Sequence, residues 1–232
     1  SEAREMPEPT LAQASATIST ENTVAAFIAL ERMSDDLDEQ LATLSPYDSL
    51  DLAWPFVLLV RTRAHLARRR PHDALEASRL TRAAHPVQPG SFAWDVIGAA
   101  EIDAHAEAGD LHAARRAAGE FAPGGPLTQL ATVRLCLREG KLDAAALTLR
   151  QITADPALSP ALRAECSVLT GWLELAQTDE LEPESALQLY WSCSRPENRR
   201  LATMMPKRLV EQVQGRVPHE LGVGFLAATA GL

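Results

Sequence analysis

Histidines, carboxylates and cysteines are where chemistry would be sought first in this chain. His219-Glu220 begins the H-E-x-x-H zinc pattern, but position 223 is Val223, so the second imidazole is missing and zinc is not expected. His65 and His72 stand seven residues apart, as do His105 and His112. That is about two helical turns, roughly 10 Å, and a turn intervenes, so packing or solvated-turn roles are expected for them. Asp35-Asp36-Leu37-Asp38-Glu39 has the D-D-x-x-[DE] spacing that puts carboxylates on one helical face and can hold Mg²⁺. No companion Asn/Ser/Glu motif follows, so a solvated acidic helix face is the better account, and a helical Mg²⁺-dependent enzyme is the weakest of three readings. The three cysteines, Cys136, Cys166 and Cys193, lie far apart without C-x-x-C pairing and are expected as buried thiols. Neither G-x-x-x-x-G-K-[ST] nor G-x-S-x-G occurs. The expectation is a binding protein with no catalytic residues, no cofactor and no metal.

The elements that would position such groups read as helices. Asn22–Met33 carries Val24, Phe27, Ile28 and Leu30 on one face. Further helical patterns run over Asp51–Arg69, Asp73–Ala84, Phe92–Ala108, Leu111–Phe121, Leu127–Arg138, Leu142–Thr153, Ala161–Ala176 and Ser185–Cys193, then a weaker tail, Arg199–Leu232. Breakers fall between them at Pro71, Pro86 to Gly90, Pro123 to Pro126, Gly140, Pro156, Pro160 and Pro183. Sustained period-two alternation is missing, so no sheet is predicted. Residues 1–10 are polar and Pro-rich and are expected to be a disordered tail.

An internal repeat organises these helices. Setting Trp54 on Trp94 also aligns Ala64 with Ala104, His65 with His105, His72 with His112, Ala74 with Ala114 and Ala77 with Ala117. Gly109-Asp110-Leu111-His112-Ala113-Ala114 then matches Gly140-Lys141-Leu142-Asp143-Ala144-Ala145, and Ala186 opens a plausible fourth copy. A small residue early in the second helix lets an antiparallel pair approach closely, and each pair needs a neighbour to cover its apolar face. The predicted fold is all-α: one domain over 11–232, a helical-repeat solenoid with repeats near 51–85, 92–121, 127–153 and 161–193 and C-terminal helices over 199–232.

The element Ala106 to Ala114, with its Gly109-Asp110 turn, resembles the centre of a tetratricopeptide repeat (TPR). The stretch Leu52-Ala53-Trp54-Pro55-Phe56-Val57-Leu58-Leu59-Val60-Arg61-Thr62-Arg63-Ala64 resembles the sensor region of large ATP-dependent LuxR-type, MalT-like transcriptional regulators. The tail Ala186–Leu232 is similar in layout to the segment preceding their DNA-binding helix-turn-helix. The resemblance implies a signal-sensing domain parted from its ATPase and DNA-binding modules, with a small effector or a protein as partner. A free-standing TPR adaptor for a peptide or protein would carry the same repeats.

TPR geometry directs one position of each first helix into the concave groove. Eleven residues before Ala74, Ala114 and Ala145 stand Arg63, Asp103 and Arg134. They are expected either to orient a polar ligand or to form a stacked ladder joining repeats. Phe56, Leu59 and Leu130 would supply apolar surface beside them, and Trp172 would stack a ligand or fill core. The formal net charge of -9 disfavours direct DNA binding, since affinity for phosphate comes from Lys and Arg. DNA contact is expected only through a helix-turn-helix outside this sequence. No apolar run approaches the roughly 18 residues of a membrane span, and a cytoplasmic setting is expected.

Overall fold

The computed structural model describes residues 11–44 and 53–217, and among these it is all-helical, with no strand. The helices are α1 (Leu11–Arg32), α2 (Leu37–Ala42), α3 (Trp54–Ala67), α4 (Pro71–Ala84), α5 (Phe92–Glu107), α6 (Leu111–Glu120), α7 (Pro126–Arg138), α8 (Leu142–Thr153), α9 (Pro160–Thr178) and α10 (Pro183–Ser194). A short 3-10 turn, Pro196–Asn198, leads into α11 (Arg200–Thr203) and α12 (Lys207–Arg216). The expected tail of residues 1–10, the His219-Glu220 pair and the last part of the C-terminal tail lie outside the described residues.

Local chemistry sets the helix ends. Pro71, Pro126, Pro160 and Pro183 each occupy the first helical position, where the missing N–H costs nothing and φ is already helical. Ser91 Oγ accepts from Trp94 N at 3.2 Å and Asp110 Oδ1 from Ala113 N at 2.9 Å, capping α5 and α6. At the other end, Arg69, Gly109 and Gly140 close α3, α5 and α7 with φ of 57°, 82° and 71°. The next amide in each case donates back across the turn, from Arg70 to His65, Asp110 to His105 and Lys141 to Cys136, at 2.8, 2.9 and 2.9 Å. The repeated sequence is thus a repeated helix stop, with Arg69 standing where the later copies have glycine.

Packing follows the same period. Ala74, Ala114 and Ala145 are all fully buried. Each of α3, α5 and α7 lies against the helix that follows it, and α4, α6 and α8 lie against the helix after them. Trp54 stacks on His85 at 4.3 Å between ring centroids, and Trp94 meets Phe121 at 4.5 Å, tying the start of one helix to the end of its hairpin partner. The apolar core continues from α1–α3 (Leu30, Leu41, Val57) through α3–α7 (Leu58, Ile97, Phe121) and α7–α9 (Leu130, Leu149, Leu169) to α9–α12 (Leu181, Leu201, Leu209). Each of these side chains that is fully buried contributes about 1.5–3 kcal/mol.

A second set of contacts decides where a site can form. The odd-numbered helices meet in sequence, α1 with α3, α3 with α5, α5 with α7, α7 with α9 and α9 with α11, and α1 in turn meets α11 and the 3-10 turn. The inner row therefore returns to its start as a ring of six helices. Sequence reasoning missed α2, the first half of α1 and the split of the tail at Pro206. Helices of six and four residues are too short to show a period.

Candidate functional site

Each of the six ring helices places one charged side chain at the centre. In chain order these are Glu31, Arg63, Asp103, Arg134, Glu165 and Arg200, so the sign alternates around the ring. Arg134 forms the tightest links: Nε and Nη2 reach the two oxygens of Asp103 at 2.8 and 2.5 Å, and Nη1 reaches Glu165 Oε1 at 2.5 Å. Arg200 Nε donates to Glu31 Oε1 at 2.8 Å and Nη2 lies 3.4 Å from Glu165 Oε2. Glu165 touches three guanidinium groups, and its side chain is only 2% exposed.

Electrostatics follow from that geometry. Burial alone would raise the Glu165 carboxyl, but Arg134, Arg63 and Arg200 outweigh it and hold it at about 2. Burial disfavours charge on Arg134 and Arg200 as well. Asp103 and Glu165 more than compensate at Arg134, Glu31 and Glu165 do so at Arg200, and both arginines rise above their ordinary range.

Arg63 differs. Its contacts are long, 3.6 Å to Glu31 Oε1 and 3.5 Å to Glu165 Oε2, and both oxygens are shared with Arg200. Among the described ion pairs it has none with its other ring neighbour, Asp103, which Arg134 holds with two bonds. Burial, then the nearby Arg200, lowers the Arg63 guanidinium to about 10 despite Glu165 and Glu31.

The ring of charges separates two cavities, and Arg63 lines both. On the side of the helix C-termini is a small space of about 70 Å³ bounded by Asp103, Arg134, Glu165 and Arg200. Glu107 bridges Arg69 and Arg138 beside it. On the other side is a cavity of about 520 Å³ formed by α1, by α3 from its start to Arg63, and by the first turns of α5, α7 and α9. Its walls are Val24, Phe27, Phe56, Leu59, Phe92, Leu127 and Leu162. Phe56 and Phe92 meet at 4.7 Å, yet they remain 52% and 43% exposed, and Val24 is 52% exposed, so large apolar groups stay open to whatever enters. Asp95, the one carboxylate among the described residues of the wall, is buried. It accepts from Leu127 N and Thr128 N at 3.0 and 2.8 Å and so caps α7 from α5.

The residues singled out from sequence fall in three places. Phe56, Leu59 and Arg63 are brought together on the larger cavity. Asp103 and Arg134 join Arg63 in the charged ring and do not line that cavity. Leu130 is fully buried in the α7–α9 core, and half-buried Trp172 packs between that core and the C-terminal one, so neither reaches the cavity. Sequence reasoning missed Glu31, Glu165 and Arg200. Glu165 had a legible signal, since Asp103, Arg134 and Glu165 follow one another at steps of 31 residues.

Asp38 of the acidic run pairs with Arg68 at 2.5 Å. Burial pushes the Cys166 thiol up to about 11 and Cys193 up to about 12, which leaves both protonated at neutral pH. Among the described residues no group of three or more His, Cys, Asp or Glu side chains is placed to hold a metal, and no helix is long and apolar enough to cross a membrane. Comparison with known protein families, with curated proteins and with solved structures finds no match for this chain.

Proposed function

We propose that this chain is a signal-sensing domain of the LuxR-type regulator kind, a TPR-like helical array that takes a small effector into the cavity ringed by Phe56, Phe92 and Val24. The supporting observation is that cavity: about 520 Å³, within the size range of small-molecule sites, with exposed aromatic walls and a charged floor. The regulator setting rests on the resemblance of residues 52–64 and 106–114. An effector there would touch α1, α3, α5, α7 and α9 at once, so it would bear on how firmly the ring closes where α1 meets α11. The role is binding, and no side chain is assigned to catalysis.

One observation favours the adaptor as a second reading. The cavity shares Phe27, Ser159 and Ala161 with a neighbouring cleft of about 780 Å³ on which Ile28 and Trp191 are exposed, so the two adjoin, as an extended peptide would require. Titration of the chain with Nile red, a small neutral apolar probe, tests the effector reading. Saturable binding at one site is expected, weakened about tenfold or more in the Phe56→Ser/Phe92→Ser double variant, a loss of about 1.4 kcal/mol or more. Binding that does not saturate, or that the double variant leaves unchanged, refutes a small-molecule site in this cavity.

A further inference from the structure

The charge around the cavity narrows the class of effector, an inference that rests on the effector reading above. We propose that the cavity takes an apolar carboxylate, its body against Phe56, Phe92, Leu127 and Leu162 and its anionic end at Arg63.

Four observations converge on this assignment. Among the described residues Arg63 is the one cation in the wall, and the one carboxylate, Asp95, is already engaged by two backbone amides of α7. Arg63 is also the member of the ring with the poorest pairing. A guanidinium has five N–H donors, and the described hydrogen bonds of Arg63 amount to a single one of 3.5 Å to Glu165, whereas Arg134 and Arg200 each make bonds of 2.8 Å or less. A ligand carboxylate would restore the pairing that Asp103, held by Arg134, does not supply. The depressed ionisation of Arg63 reflects the same shortage of compensating charge.

The helices add to this field. The first turns of α3, α5, α7 and α9 all line the cavity, so the positive ends of four helices lie along its wall. Asp95, in the first turn of α5, turns its carboxylate to the first amides of α7, and α5 and α9 are capped by the neutral Ser91 and Ser159. A cationic ligand would face Arg63 with no free carboxylate among the described residues of the wall. A neutral one would leave Arg63 as it stands. A carboxylate gains a charge-assisted hydrogen bond beside apolar walls.

Competition against Nile red on the full chain tests this with decanoate and decan-1-ol, which share an alkyl body and differ in charge. Decanoate is expected to bind at least about tenfold more tightly than decan-1-ol, in line with one hydrogen bond between charged groups. Arg63→Gln should bring the two close to equal affinity, and Arg63→Lys should keep the preference. Glu31→Gln removes a carboxylate that competes for Arg63, and it should widen the preference for decanoate while leaving decan-1-ol unchanged. That variant decides the matter if Arg63→Gln does not fold, as judged by its circular-dichroism melt. Equal affinity of the two probes for the native chain, a preference that survives Arg63→Gln, or a ratio that Glu31→Gln fails to widen overturns the assignment while saturable Nile red binding keeps the effector reading. Failure of Nile red itself to saturate removes both.

Discussion

Replacing Glu165 by Gln tests the charged ring at its most connected member. The carboxylate is almost fully enclosed and touches Arg63, Arg134 and Arg200, at distances from 2.5 to 3.5 Å. Those three arginines hold it at about 2 against the ordinary 4.5, even though burial alone would raise it. At about 1.36 kcal/mol per pKa unit, its ionised form favours the folded state by about 3 kcal/mol. Removing one partner from a buried ion pair costs about 3–5 kcal/mol in other proteins, so two independent routes give the same size. The sign is set by linkage. A carboxyl whose folded value lies below its unfolded one stabilises fully above about pH 4.5 and loses that contribution as pH falls toward 2. Urea denaturation at pH 7 should find Glu165→Gln less stable by about 3 kcal/mol, with a thermal midpoint about 6–12 °C lower. Between pH 4.5 and 2 the variant should lose stability less steeply than the native chain. The fold itself is expected to persist, because Arg134 keeps Asp103 and Arg200 keeps Glu31. A variant within about 0.5 kcal/mol of native at pH 7 would mean that the ring contributes no more than an ordinary surface charge, and the reasoning would fail.

Two further substitutions test how the cavity is framed. Gly98→Ala would set a Cβ 2.7 Å from Phe121 Cγ and 2.8 Å from Thr128 Oγ1, where α5 passes α7; an overpacking loss of about 1–3 kcal/mol is expected in urea, and a neutral result would show that Phe121 can yield. Asp95→Ala removes the acceptor for the first amides of α7 in a buried setting, so a loss of about 1–2 kcal/mol is expected, with faster amide hydrogen exchange at Leu127 and Thr128; unchanged exchange would show that another group caps the helix.

What the sequence made legible was whatever recurs at a fixed offset. Ala74, Ala114 and Ala145 are buried alike, and the turns at Arg69, Gly109 and Gly140 share one geometry, because helix stop and close approach are local demands that each copy meets with similar residues. Arg63, Asp103 and Arg134 could be picked out for the same reason. Their partners could not. Glu31 lies in a helix with no recognisable repeat signature, and Arg200 follows a proline-broken stretch where the period is lost. The cavity was half legible: Phe56, Leu59 and Arg63 share a face of one helix, eight residues end to end. Phe92, Leu127 and Leu162 join them only because three other helices begin at the same level, which no single-helix pattern reports. Leu130 holds in its helix the place that Leu59 holds in α3, four residues before the ring charge, yet it is sealed in core because the cavity stops one turn sooner, at Leu127.

The alternation of sign has a consequence for recognition. Successive ring members are 31 to 40 residues apart, so no helix-local rule couples their charges. Each sits beside the next only because the helices pack side by side, and a like-charged neighbour there would be a buried charge without a partner. Three arginines and three carboxylates make the ring neutral, so the whole net charge of -9 lies elsewhere on the chain. An anion approaching such a protein is repelled at long range, within the screening length of about 8–10 Å at physiological salt. It can be held only by a local imbalance that the solvent does not screen. Arg63, held only by long pairs to Glu31 and Glu165 and lining an apolar wall, is that imbalance. The predicted preference for decanoate should therefore weaken little as salt is raised, unlike the capture of an anion by an exposed basic patch.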